Sequence, residues 1–228
     1  MTTLQDLRSA VTRLLTNCGY PGSFILQKNA DDAAFEAYVF TLVLRAFRQA
    51  GGTIQIRSIE FPNTTPPIFY FRGSPGYIYS RAVAYGYAEI DYKGESLEVH
   101  IDVQHRGSSG VRHEFDVSII SSKEGRKCRR SNSPSHPSHS ETSAALECKF
   151  YSTNLQKSLI REFVGAGIDM GQLRIYRFVS NRGSPTIKQY CTGPNRRPVY
   201  TENLSPLNPR GEQALIDNLV EDIGIWLG

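Results

Sequence analysis

His113-Glu-Phe-Asp-Val-Ser-Ile-Ile120 and Ala144-Ala-Leu-Glu-Cys-Lys-Phe-Tyr151 are the two stretches on which the fold turns. Successive side chains of a strand alternate, so Phe115, Val117 and Ile119 share one face and leave Glu114, Asp116 and Ser118 on the other. In the second stretch Leu146, Cys148 and Phe150 share a face, opposite Glu147 and Lys149. If the strands pair, Asp116, Glu147 and Lys149 converge on one polar face. Two carboxylates and an ammonium at close range need a reason. A divalent cation held by Asp116 and Glu147 supplies one, because hard oxygen ligands suit magnesium and the ion relieves carboxylate repulsion. The plainer reading is a solvent-facing Glu147–Lys149 pair, with Asp116 bonded to a neighbouring turn.

Outward from these strands the texture is β on the N-terminal side. Residues 54–61, Ile68–Phe71 and 82–92 are rich in β-branched and aromatic residues. Lys93-Gly94-Glu95 reads as a tight turn into an alternating strand at 97–103, and Gly107-Ser-Ser-Gly110 turns into the strand at 113–120. Together they predict an antiparallel meander. Its polar residues His100, Asp102, His113 and Glu114 are read as surface positions. Earlier still, Leu4, Leu7, Val11, Leu14 and Leu15 have helical spacing, and Gly19, Pro21 and Gly22 end that helix. A second helix is signalled over Asp31–Gln49, with Asn29, Asp31 and Asp32 as capping and first-turn acids and Gly51-Gly52 as its stop.

On the C-terminal side, Ser152-Thr-Asn154 caps a helix with a stripe of Leu155, Leu159, Ile160, Phe163 and Val164. A strand follows at 173–179, a short one at 186–191, and a last helix at 211–227. Residues 121–143 carry Lys123, Arg126, Lys127, Arg129 and Arg130 among Ser and Pro, and read as a mobile basic loop. The expected fold is α/β, a central mixed sheet flanked by helices in a single domain, with an N-terminal helix (1–17) and a C-terminal segment (192–228) as additions.

Composition bounds the function. The chain has 228 residues, 39% hydrophobic and 21% charged, which excludes a coiled coil, a collagen-like rod and a long disordered tail. No apolar run approaches the ~20 residues of a membrane helix, and the first fifteen residues lack a secretory pattern, so a cytoplasmic protein with no membrane partner is expected. Cys18, Cys128, Cys148 and Cys191 show no CxxC spacing and read as reduced thiols. Cys128, His136 and His139 lack a fourth zinc ligand nearby. The net charge of +4 divides unevenly: residues 121–200 hold 14 Lys or Arg against 5 Asp or Glu, and the rest sums to −5. A local +9 points to a polyanion, nucleic acid being the commonest, or to a basic face that serves solubility.

Asp116, followed on a separate strand by Glu147-Cys148-Lys149, resembles the PD-(D/E)xK nuclease superfamily, which includes many restriction enzymes. Phe115 stands where the motif name has proline, and 31 positions separate Asp116 from Glu147. Glu36, at helical spacing with Phe40, Val43 and Phe47, matches the glutamate that an upstream helix often donates. The resemblance covers about residues 30–181 and implies a restriction-endonuclease-like αβββαβ core. It implies further that Asp116, Glu147, the Cys148 backbone carbonyl and Glu36 hold magnesium, with manganese as a substitute, and that Lys149 acts on the attacking water. Gln156, Lys157 and Arg161 on the next helix, with the five basic residues of the loop, become candidates for phosphate contact. The implied activity is phosphodiester hydrolysis, of DNA more than RNA, in bacterial restriction or phage defence, by a homodimer or with partner subunits. The alternative is a nucleic-acid-binding module on the same scaffold that does not cut, or a subunit of a larger complex.

Overall fold

Seven strands form one mixed sheet: β2 (Thr53–Ser58), β4 (Gly86–Tyr92), β5 (Glu95–Arg106), β6 (Arg112–Ser121), β7 (Thr142–Lys149), β8 (Ile175–Ser180) and β9 (Val199–Thr201), in that spatial order. Neighbours from β2 to β7 are antiparallel, and β7, β8 and β9 run parallel. The computed structural model describes residues 2–28, 30–82, 84–130, 135–194 and 197–228. The β4–β5 hairpin closes on Lys93 (φ +49) and Gly94 (φ +86), a two-residue turn whose left-handed backbone matches the twist of the strands. A parallel β7–β8 pair needs a crossover, and α4 (Lys157–Met170) provides it.

Helices cover both faces, as expected of this α/β class. On one face α2 (Asp31–Gln49) lies against the sheet with α1 (Leu4–Asn17) and α6 (Pro209–Leu227) outside it. Thirteen residues of α2 are buried, which is why its apolar residues run almost all round the helix. Its outer layer is tied by Glu212, which accepts hydrogen bonds from Tyr38 Oη (2.8 Å) and from Arg13 (2.8 and 3.0 Å). On the other face Phe163 of α4 packs on Phe115, Tyr176 and Phe178, with Ile187 of α5 (Pro185–Cys191) in the same cluster. Burying such aromatic side chains contributes about 2–3 kcal/mol each.

Several expectations need correction. Residues 122–130 are not loop: α3 (Ser122–Arg130) turns Ser122, Glu124, Gly125 and Cys128 inward. Small and polar residues make that buried face, so no aliphatic stripe announced it. A short 3-10 turn (His139–Glu141) leads into β7, and residues 131–134 of the expected loop lie outside the described residues. The segment expected as a strand at 186–191 is α5, started by Ser184, whose hydroxyl accepts from the Ile187 amide, and by Pro185. Helix α4 starts at Lys157 with Gln156 at its N-cap, so Ser152-Thr-Asn154 does not cap it. Nor does a side chain cap α2, whose N-cap is Ala30; Asn29 is outside the described residues. The meander also omits β3 (Ile68–Phe71), which pairs in parallel with β1 (Ser23–Leu26) while Phe69 and Phe71 pack on Phe40. Four residues between Gly22 and Gln27 were too short a run to read as a strand. Cys128 is a core residue, packed with Ile78, Val103 and Ile120.

Candidate active site

The two deciding strands are neighbours. β6 and β7 pair antiparallel, Val117 opposite Leu146. Just beyond that pair the Cys148 amide donates to Asp116 Oδ2 at 2.6 Å. Lys149 Nζ lies 3.3 Å from Asp116 Oδ2 and 2.6 Å from Glu147 Oε1. Asp116, Glu147 and Lys149 are therefore brought together. The plainer solvent-face reading fails, since Asp116 is buried and Lys149 and Glu147 are each under one-fifth exposed.

The same row of the sheet carries a change of face. In β5, Leu97, Val99 and Ile101 pack towards α2, whereas Val103 joins Ile78 and Cys128 on the α3 side. Between them Asp102 has φ +52, a left-handed backbone that costs a non-glycine residue of order 1 kcal/mol or more. β6 behaves alike: Val117 and Ile119 pack towards α2, but Phe115 packs with Phe163 of α4, so it does not share their face as strict alternation predicts. Asp102 and Asp116 sit where these strands switch. Carboxylate oxygens of Glu36, Asp102 and Asp116 lie within 4.8 Å of one another. They open on a pocket of about 160 Å³ lined also by Glu114 and by the Lys28–Asp32 ion pair (2.8 Å).

Electrostatics follow from crowding acids out of water. Burial, then Asp116 and Asp102, pushes the Glu36 carboxyl up to about 10. Burial, Glu114 and Asp116 push Asp102 up to about 9, and burial with Asp116 brings Glu114 to about 7. Glu147 is raised to about 8 by burial and Asp116, against the pull of Lys149. Burial also raises Asp116, partly offset by Lys149 and the Cys148 amide. Burial works against the Lys149 ammonium, yet Asp116 and Glu147 outweigh it and hold the group protonated well above its usual range. Five carboxyls thus crowd one region, two of them in contact with the Lys149 ammonium. Such a set either keeps protons or takes a cation, and its hard oxygen donors fit magnesium or manganese. Glu147 does not join the triad of converging oxygens, because its carboxylate is turned to Lys149.

Sequence reasoning missed Asp102 and Glu114. Asp102 is 3% exposed and His100 fully buried, so neither is a surface strand residue. The available signal was Glu98, His100 and Asp102 repeating on one face of a strand that a meander places centrally, where both faces are covered. His100 Nε2 is 2.9 Å from Glu98 Oε2 and its ring stacks on Tyr87, so both belong to a structural cluster. Tyr85 and Tyr87 are buried too. His113 binds Asp169 at 2.7 Å, tying the start of β6 to the end of α4.

The basic candidates do not gather at the acidic pocket. Arg129 forks onto Glu98 at 2.6 and 2.5 Å and is not free for phosphate, and Lys127 pairs with Glu124 at 3.0 Å. Lys123, Arg126 and Arg130 are exposed on α3, the last two on a separate cleft. Gln156, Lys157 and Arg161 are exposed at the start of α4, with the Lys157 ammonium 5.7 Å from the Tyr190 ring. Among the described residues no helix is long and apolar enough to cross a membrane. No protein family, curated protein or solved structure matches this chain.

Proposed function

We propose that this chain is a magnesium-dependent endonuclease of the PD-(D/E)xK kind, acting on DNA in preference to RNA, in restriction or phage defence. One observation carries the reading: Asp116 and Glu147, from adjacent strands, both reach Lys149, while Glu36 of α2 and Asp102 bring their oxygens beside Asp116. The succession α2, β5, β6, β7, α4, β8 is compatible with an αβββαβ core into which β2–β4 and α3 are inserted.

Asp116, Glu36 and Asp102, with Glu147 and the Cys148 carbonyl, would hold the cation. When bound, the cation lowers the pKa of a water and neutralises charge on the scissile phosphate. Lys149 keeps its proton at neutral pH, so it serves as a fixed positive charge that orients the water and stabilises charge developing on the phosphate, not as a general base. The Cys148 amide fixes the Asp116 carboxylate, and burial excludes bulk water around it. Gln156, Lys157 and Arg161 would meet the strand beside the α4 N-terminus, an end that favours anions. Cutting both strands of a duplex takes two such sites, from a homodimer or partner subunits, or one site acting twice.

The test is a time course on supercoiled plasmid, linear duplex, single-stranded DNA and RNA, with magnesium or manganese, comparing wild type with Lys149→Ala. Cleavage that needs the metal and drops at least 100-fold in the variant is expected, the scale of one lost electrostatic contact to a transition state. Wild-type protein that cuts none of the four, or an unaffected variant, overturns the reading.

A further inference from the structure

Away from the acidic pocket, a cleft of about 420 Å³ opens between the β2–β4 edge of the sheet and α3. Arg57, Arg81, Arg126, Arg129 and Arg130 line it, and it shares no lining residue with the acidic pocket. Two of the five arginines are already neutralised. Arg57 Nε donates to Glu89 at 3.0 Å, and Arg129 forks onto Glu98 with its guanidinium 4.5 Å over the Tyr87 ring. Among the described residues, Arg81, Arg126 and Arg130 have no carboxylate within salt-bridge distance, and all three are exposed.

The fold holds these charges together against their repulsion. Arg126 and Arg130 are four positions apart on α3 and so share a face. The helix cannot roll to separate them from the cleft. Arg129 is forked onto Glu98, and Gly125 lies against the same carboxylate so closely that a Cβ there would stand 2.1 Å from Oε2. Like charges fixed around a concave, low-dielectric wall concentrate anions, and the guanidinium fork matches pairs of phosphate oxygens.

We infer that the arginine cleft is a phosphate-binding site. Its occupant, resting on the nuclease reading above, is the backbone of a nucleic-acid strand, anchored apart from the acidic pocket; a free nucleotide offers the same chemistry and is separated by the test. Anisotropy of a labelled single-stranded DNA of about 20 nucleotides is followed in EDTA, from about 50 to about 200 mM salt. Wild type is compared with Arg126→Gln/Arg130→Gln and with Arg174→Gln/Arg210→Gln, which removes equal charge from exposed positions elsewhere. The cleft variant should lose at least tenfold in affinity, and its salt slope should fall by about 1.4, the share of two single-strand phosphate contacts. The control should stay within about twofold. ATP that displaces the strand from wild type at micromolar concentration would support the site with a nucleotide as occupant, and displacement only at millimolar concentration supports the strand. Unchanged binding in the cleft variant, or equal losses in both double variants, overturns the inference. Binding through the cleft without any cleavage counts against the nuclease reading alone; cleavage with unchanged binding in the cleft variant counts against the cleft alone.

Discussion

Replacing Glu36 by Gln should make the metal-free protein more stable, the opposite of what removing a buried, packed side chain ordinarily does. Burial, with Asp116 and Asp102 alongside, lifts the Glu36 carboxyl from 4.5 to about 10. Above pH 4.5 the unfolded chain has released this proton and the folded chain still binds it. The group therefore costs nothing below that pH, and stability falls as pH rises from there towards about 10. At pH 7 the gap spans roughly 2.5 pH units, which at 1.36 kcal/mol per unit is about 3 kcal/mol. Glu36→Gln fills nearly the same space without the charge, so in EDTA it should exceed wild type by about that amount, or by about 6–12 °C in Tm for a chain of this size. Magnesium should narrow or reverse the ranking. An ion at a hundred times its Kd adds about 2.7 kcal/mol to wild type, and less to a variant whose amide offers one oxygen and no charge. Urea and thermal melts at pH 4.5, 7 and 8.5, with EDTA or magnesium, measure this. A variant less stable than wild type at pH 7 in EDTA, or a difference that does not grow with pH, would refute the picture of an acid cluster strained by burial.

Two further predictions concern the seat of α3. Arg129→Ala leaves Glu98, whose side chain is fully buried, without its fork and should cost about 3–5 kcal/mol in urea denaturation. Despite burial, Arg129 and His100 hold Glu98 below its usual value of 4.5. Their support is complete above that pH and is lost as pH falls through the folded value, so the acid side of the wild-type stability profile should flatten in the variant. Gly125→Ala gains about 1 kcal/mol of helix propensity, but its Cβ would meet the Glu98 carboxylate at 2.1 Å. A net loss in Tm is expected, and a gain would show that α3 is not held against Glu98.

Much of the frame was legible in the sequence because it rests on local periodicity. Alternation paired Val117 with Ile119 and Leu146 with Cys148, though not Phe115 with Val117, and helical spacing set α1, α2 and α4. Asp116, Glu147 and Lys149 meet as the paired strands predicted, but Asp116 does so at a switch of face that strict alternation does not contain. Even the odd acid of α2, Glu36, stood out against an apolar stripe. Elements escaped where no period existed to read: α3 hides behind Gly125 and Ser122, and β1 is four residues long.

What the tertiary structure alone decided is which charges meet. Asp102 enters the site because β5 changes face at a left-handed residue in the middle of the sheet, and no alternation rule contains that switch. Arg129 leaves the set of free cations because a fully buried carboxylate 31 positions upstream captures it, while Arg57 and Arg81 join Arg126 and Arg130 from distant parts of the chain. Strand and helix periods are short-range properties that a sequence displays directly. Charge pairing is settled by distances of a few ångströms between residues far apart in the chain, and only the folded backbone sets those.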